Sequence, residues 1–376
     1  MELPRSKRYD AVVIGAGLIG LACAWRARKR GLSVLVVDRA HEPASGASGV
    51  AAGMLAPVTE ADFGEEGPLR VNLAGRKRWP AFAAELEEVS GLPTGYRESG
   101  ALVVATDPDD AEALHRLLEF QRARGLETEW LPPSRCRRLE PGLSPRIAGG
   151  IVAAEDASAD PRATSTALAA VVEEVALGVD VESIEDDGTQ VTGVRTAAGA
   201  IDCDHVVVAA GAWSSALAPD NGPPVRPVKG QILELQVRGA TPDPLERIVR
   251  TPRCYLVPRG DGRLILGATV EEQGFDTAVT AGGVFRLLEA AWEVVPEVGE
   301  LELVAARAGL RPGTPDNAPI VGPGEPKGVI WATGHWRNGV LLAPLTGDVV
   351  AGLLVGEPLP EELAPLAPAR FARTHA

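Results

Sequence analysis

Residues 9–20 read YDAVVIGAGLIG. The β-branched run Tyr9 to Ile14 ends at a glycine, the pattern of a short strand buried on both faces. GAGLIG at 15–20 then opens a helical stretch, Leu18 to Arg30, with small residues along one face, and Gly31 stops it. Leu32 to Val37 (LSVLVV) is a second buried strand, closed by Asp38. A G-x-G-x-x-G that follows a strand, opens a helix and has an acidic residue at the end of the next strand is the dinucleotide fingerprint. In that reading Gly15 makes the tight turn, Gly17 admits a pyrophosphate to the backbone, and Gly20 closes helix on strand. The helix start offers N–H groups and a positive dipole end to the phosphates. Asp38 accepts the hydroxyls of an adenosine ribose.

Working outward, residues 42–57 (EPASGASGVAAGMLAP) are small and suited to close approach of backbone to a ligand. Helical patterns follow at 68–91, 108–124, 134–140 and 161–176, with strands at 96–105 and 149–153. A second apolar strand ending at glycine, VVVAAGAWS at 206–214, is common in flavoproteins and favours FAD over NAD. Residues 222–305 change texture: strand-like segments at 230–237, 253–259 and 263–268 are separated by Pro and Gly, and a helix follows near 282–295. That is how an antiparallel sheet reads. GVIWAT at 328–333 returns to a buried strand before a helix from 338 to 355. The expected fold is α/β (α+β). A Rossmann-like FAD-binding domain, discontinuous over 1–95, 145–220 and 306–376, carries an inserted antiparallel β-sheet substrate domain formed by 96–144 and 221–305.

The whole chain of 376 residues is 45% hydrophobic and 23% charged, which excludes a disordered or collagenous protein. Its net charge of −14 argues against nucleic acid as a partner, since phosphates must be met by clustered Lys and Arg. Cys23, Cys136, Cys203 and Cys254 form no C-x-x-C pair, so reduced thiols, no metal site and a cytoplasmic location are expected. The polar start, Met1 to Asp10, shows no leader pattern, and no apolar run reaches the ~18 residues that span a bilayer.

The chain resembles the D-amino-acid oxidase-like FAD-dependent oxidoreductases, and within them the glycine oxidases of thiamine biosynthesis. The likeness runs nearly end to end. Beyond 9–20 it rests on SGVAAGML at 48–55, VVVAAGAWS at 206–214, PVKGQ at 227–231, CYLVPR at 254–259 and GATVE at 267–271. AGLRPGTPDNAPIVG at 308–322 and GHWRNGVLLAPLTG at 334–347 are its most specific parts. The resemblance implies an FAD-dependent oxidase that converts glycine, sarcosine or small D-amino acids to the imine by hydride transfer. Dioxygen is reduced to hydrogen peroxide, and the imine serves thiazole formation. It also implies a homo-oligomer.

Residue by residue, the resemblance places Gly15, Gly17, Leu18, Ile19 and Gly20 at the pyrophosphate and Asp38 and Arg39 at the ribose. Ala47, Ser48, Ala52, Gly53 and Met54 lie along the cofactor, Val181 touches the adenine side, and His335, Trp336, Arg337, Asn338, Gly339, Val340 and Leu341 wrap the flavin. Arg311 is matched to the residue that binds the substrate carboxylate, which suits a planar, always charged fork. Tyr255 is matched to a hydroxyl contact on the same carboxylate, and Arg337 to a second arginine on the substrate side. Read from the residues alone, Arg311 is first a surface arginine before a turn and Tyr255 first a core tyrosine, while Arg337 is equally a helix-entry residue. His335 is read as a backbone contact rather than a base. Arg253 and Val270 depart from the family pattern and are expected to alter the mouth of the pocket. Two other functions stay open: a dehydrogenase of the same fold that passes electrons to a quinone or protein, and a non-catalytic flavin-binding module.

Overall fold

A computed structural model describes residues 7–64, 66–217, 222–239 and 242–371. The extreme N-terminus and the expected domain junction at 220/221 lie outside the described residues.

The opening strand, β1 (Tyr9–Ile14), forms at the centre of a parallel sheet. Val34–Asp38 pairs on one side of it and Gly199–Val208 on the other, both parallel. Val329–Thr333 adds a further parallel strand beyond Gly199–Val208, and Ile320–Pro323 closes that edge antiparallel. All five residues of Val329–Thr333 are buried, which is why this strand reads as an unbroken apolar run. Helix α1 (Leu18–Lys29) crosses one face together with Pro161–Val172 and Gly339–Leu354, and these helices bury a shared apolar core against the sheet. On the other face, an antiparallel flap of Val181–Asp186 and Val191–Thr196 folds back from Gly199–Val208.

The opposite edge of this sheet differs from expectation. The helix expected to run to 176 ends at Val172, because Glu173 takes a left-handed conformation, φ 66°. Val175–Leu177 then pairs parallel with Val34–Asp38. Propensity favoured continuing the helix, and the open strand edge offered hydrogen bonds that a helix could not use.

The second sheet runs in the order Glu302–Gly313, Arg226–Gln236, Arg263–Gly267, Tyr255–Pro258, Ile248–Arg250, Ala101–Ala105, Gly149–Ala153 and Glu129–Leu131. Every neighbour is antiparallel except Ile248–Arg250 against Ala101–Ala105. Gly149–Ala153 was expected on the FAD side of the boundary at 145, and the boundary at 306 was expected to divide Glu302–Gly313; both strands pair whole within this sheet. A strand's own residues do not say which of two sheets it joins; that is decided by the partner whose hydrogen bonds it completes.

The helix start is tied to β1 by close contact. A Cβ on Gly20 would stand 1.9 Å from the Gly15 carbonyl oxygen, and one on Gly15 would stand 2.4 Å from the Ala209 carbonyl oxygen. All of these obstacles are backbone, which cannot rotate away. Gly20→Ala should therefore lift α1 off the sheet and lower stability by about 1–3 kcal/mol, the usual cost of overpacking. Urea unfolding measures this, and an unchanged midpoint would show that the helix does not rest on the strand.

Candidate functional site

A large cavity of about 580 Å³ runs between the two sheets. At one end it is bounded by the glycine turn, Gly15 and Gly17 with Leu18 and Ile19, and by Asp38 and Arg39. A Cβ on Gly17 would meet nothing closer than Ser48 Oγ at 3.4 Å, so this backbone faces open space. No side chain of α1 caps its own start, and its first turn holds no acidic residue. Ser48 Oγ accepts from the Leu18 N–H at 2.9 Å and so joins the small-residue loop to the helix start. Asp38 accepts from the N–H groups of Ala16 at 2.7 Å and Ala40 at 2.8 Å, which orients the carboxylate at the strand end.

The small-residue loop supplies the middle of the wall through Ala47, Ser48, Ala52, Gly53 and Met54. Gly53 has φ 74°, and a Cβ there would stand 1.9 Å from the Ala159 carbonyl oxygen, so only glycine lets this loop pack beneath the cavity. Val181 lines the far side, with Trp213 near it, and the Arg39 guanidinium lies over the Trp213 ring at 4.1 Å. Tryptophan 213 was not singled out in the sequence, although it lies within the VVVAAGAWS motif.

The other end is built from the second sheet. Arg311 and Tyr255 stand on strands separated by two others, Arg226–Gln236 and Arg263–Gly267. Each intervening strand has a glycine where the side chains must cross it. A Cβ on Gly230 would be 2.3 Å from Arg311 Nη1, and one on Gly267, the cross-strand partner of Tyr255, would be 2.4 Å from the phenol oxygen. The structure thus brings Arg311 and Tyr255 together at one cavity end. Burial raises the Tyr255 pKa and the charge of Glu60 adds to the rise, while Arg311 beside it acts in the opposite sense. Arg311 Nη1 donates to the carbonyls of Thr269 at 3.1 Å and Lys229 at 3.3 Å.

Glu60 also lines this end; its side chain is 8% exposed and lies 3.8 Å from Arg250. Sequence reading missed both residues, and no local pattern marks them. Arg337 reaches the cavity rim from an exposed position, whereas Trp336 and the buried His335 form the wall beneath it. The helix Gly339–Leu354 begins there without a side-chain cap, so its positive dipole end faces the cavity through Gly339 and Val340.

Gly20, Asn338 and Leu341 are not among the residues that line the cavity. Gly20 packs the helix on the strand, as its place in the glycine turn implies. Asn338 occupies the helix N-cap position and donates its backbone N–H to the His335 carbonyl at 2.8 Å. Leu341 turns into the core, where its carbonyl accepts from Trp79 Nε1 at 3.0 Å. Neither Arg253 nor Val270 lines the cavity. Arg253 lies in the turn before its strand begins and pairs with Glu289 at 2.8 Å and Glu293 at 2.6 Å on an outer helix, and Val270 is exposed. The four cysteines are buried and free, and burial pushes the thiols of Cys136 and Cys254 up to about 11. Among the described residues there is no metal-binding cluster and no helix long and apolar enough to cross a membrane.

Residues 10–353 match the family described as DAO, FAD dependent oxidoreductase. The chain is 35% identical over 370 residues to a glycine oxidase of Geobacillus kaustophilus, covering 95% of this chain and 96% of that protein. It is 35% identical over 352 residues to the bifunctional protein ThiO/ThiG of Trichormus variabilis, covering 92% of this chain. It spans only about half, 52%, of that bifunctional relative. The crystal structure of glycine oxidase from Geobacillus kaustophilus superposes with a TM-score of 0.91 at 34% identity, over 97% of this chain and 99% of that one.

His335, in the cavity wall, is strongly altered by its burial. Burial pushes its imidazole down to about 3, and Nε2 lies 2.9 Å from Thr346 Oγ1, on the helix side. The ring is therefore neutral and turned inward, consistent with a backbone contact. Its folded pKa lies below the unfolded value of about 6.5, so its contribution to stability is full above that pH and is lost as the pH falls toward 3. Between pH 6.5 and 4.5 this amounts to about 2–3 kcal/mol. Urea unfolding across that window should show a steeper loss for the parent than for His335→Gln; equal slopes would mean that the buried ring takes up protons in the fold.

Proposed function

The chain belongs to the FAD-dependent oxidoreductase family of D-amino-acid oxidase type, and we propose that its reaction is the oxidation of glycine, with sarcosine and small D-amino acids as further substrates. The observation that carries this reading is the convergence of Arg311 and Tyr255 on the same cavity that opens at the glycine turn and Asp38. A flavin-binding module without a reaction needs no arginine and phenol at the far end.

FAD fits the residues present. The bare backbone at Gly17, the start of α1, where the N-cap glycine has no side chain and Ser48 takes only the Leu18 N–H, and the carboxylate of Asp38 suit a pyrophosphate and a ribose, and the small-residue loop leaves room along the middle. Held by these residues, FAD would supply a two-electron acceptor for the amine's α-hydride while the nitrogen gives up a proton; the two electrons and two protons would pass to dioxygen as hydrogen peroxide, and the imine would add water to give glyoxylate and ammonia. The protein's own part is orientation. In this reading Arg311 holds the substrate carboxylate by two parallel hydrogen bonds and Tyr255 adds one from its phenol. Arg337, at the rim, adds positive charge on the substrate's path. His335, neutral and bonded to Thr346, takes no part as a base. The first sheet and its helices form the cofactor-holding unit, and the second sheet shapes the substrate end. Similarity to ThiO/ThiG supports a role for the product imine in thiazole formation for thiamine.

Mixing the flavin-loaded protein with glycine in air tests the reaction. Bleaching with peroxide supports it, bleaching without peroxide marks a dehydrogenase, and no bleaching with any of the three substrates overturns it. Arg311→Ala should cost about 2–5 kcal/mol of transition-state binding, roughly a 30- to several-thousand-fold loss in kcat/KM for glycine. Arg311→Lys should restore only part, because a point charge does not reproduce the fork. FAD content should hold, and glycine ethyl ester, which has no carboxylate, should lose far less than glycine. Equal losses on both substrates would mean that Arg311 supports the fold instead.

A further inference from the structure

Lys229 is among the largest side chains wholly buried in the protein, at 1% exposure, and the reaction described above does not use its ammonium group. An uncompensated buried ammonium is costly, so its partner carries information. The partner is Asp276, whose side chain is half exposed and belongs to the segment 269–280 that leaves strand Arg263–Gly267 and leads to helix Ala281–Val294. This segment has little regular structure of its own; the single bridge Lys229↔Glu271 pairs it with the strand Arg226–Gln236.

Polar side chains then fasten the segment along its length. Lys229 and Glu271 exchange backbone N–H···O bonds, both 2.9 Å. Thr269 Oγ1 accepts from the Gln231 N–H at 2.8 Å and donates to Glu271 Oε1 at 2.5 Å. The fully buried Gln231 donates from Nε2 to the same Glu271 oxygen at 2.7 Å and accepts from the Thr280 N–H at 2.9 Å. A side chain on Gly283 would collide with the Gln231 amide at 2.5 Å, so the following helix is shaped around this group.

The consequence lies on the cavity side. The two carbonyls that hold Arg311 Nη1 belong to Lys229 and Thr269, one on each side of this junction. Both oxygens are therefore set by the seam that Lys229, Gln231, Glu271 and Asp276 close. We propose that 269–280 is a strap whose buried polar seam fixes the rotamer of Arg311, making Lys229, Gln231 and Thr269 positioning residues for carboxylate recognition. With one edge of the guanidinium held by the strap, the rest of the fork is directed at the substrate without an entropy cost on binding. A loosened strap lets the side chain sample other rotamers and reduces the share of molecules ready to bind.

The inference rests on the carboxylate role of Arg311, so Arg311→Ala is the reference in its test. Glycolate, a carboxylate that is not an amine, is titrated into the FAD-loaded enzyme and its binding read from the flavin absorbance. Thr269→Val removes the hydroxyl from the seam and keeps the shape; Thr269→Ser keeps the hydroxyl. Asp276→Asn, at a half-exposed position, breaks the other end without removing buried volume. Thr269→Val and Asp276→Asn should each weaken glycolate binding and raise KM for glycine about ten-fold, with kcat within about two-fold. Thr269→Ser should restore both values, and FAD content should stay at the parent level. Unchanged glycolate binding in both variants, with Arg311→Ala still losing it, would overturn the strap while leaving the carboxylate role intact. Parallel loss of FAD, kcat and glycolate binding would make the seam structural only. If Arg311→Ala itself bound glycolate normally, the carboxylate role would fail first.

Discussion

The contact of Gly20 with the carbonyl of Gly15 governs where everything else in the first half can go. Because no side chain intervenes, α1 starts against the end of β1, and its first residues, Gly17 to Ile19, border the crevice at the strand ends. The same closeness is repeated one strand over, where Gly15 abuts Ala209 and brings the second glycine-ended strand to the same level. Ser48 and Asp38 then fasten the adjoining loops to this point through backbone N–H groups rather than through other side chains. A dinucleotide-shaped opening follows from backbone geometry before any specific side chain is considered.

The second sheet solves a different problem. It must present two polar side chains at one end of a cavity whose other walls come from another sheet. Glycines at 230 and 267 open lanes across the intervening strands for Arg311 and Tyr255. The two units are fixed to each other by buried polar contacts: Arg259 donates to the Ala159 carbonyl at 2.9 Å, and Asp160 lies 3.1 Å from Arg263. Arg259 and Asp160 are both nearly buried, so these groups hold one arrangement because any other would leave a charge without a partner. Val50 packs where a Cβ on Gly309 would come within 3.0 Å, which brings the small-residue loop against the strand that carries Arg311.

Legibility in the sequence followed the range of the interactions. The strand–glycine–helix start, the carboxylate of Asp38 and the apolar strands at 206–208 and 329–333 were plain, because each is decided by neighbours within a few residues. Arg311, Tyr255 and Arg337 were ambiguous on local pattern, and the family likeness singled them out. Glu60 and Arg250 gave no such signal, and Trp213 and the buried Lys229 sat inside quoted motifs without being singled out. Their surroundings come from segments far apart in the chain, as when Lys229 meets Asp276 or Glu60 lies beside Arg250. Arg253 shows the reverse error: two residues from Tyr255 in sequence, it lies in a turn and joins an outer helix.

By itself, the amino-acid sequence determined the βαβ start, the class of cofactor it accepts and the presence of an antiparallel sheet. Those depend on periodicity, on glycine's freedom from a side chain and on hydrogen bonds made locally. Only the tertiary structure decided that Gly149–Ala153 and Glu302–Gly313 belong to the second sheet, that Val175–Leu177 is a strand, and that His335 is buried and neutral. It also decided which carbonyls hold Arg311. A strand's partner, a side chain's solvation and a guanidinium's orientation are set by groups that the chain brings together only when it closes on itself.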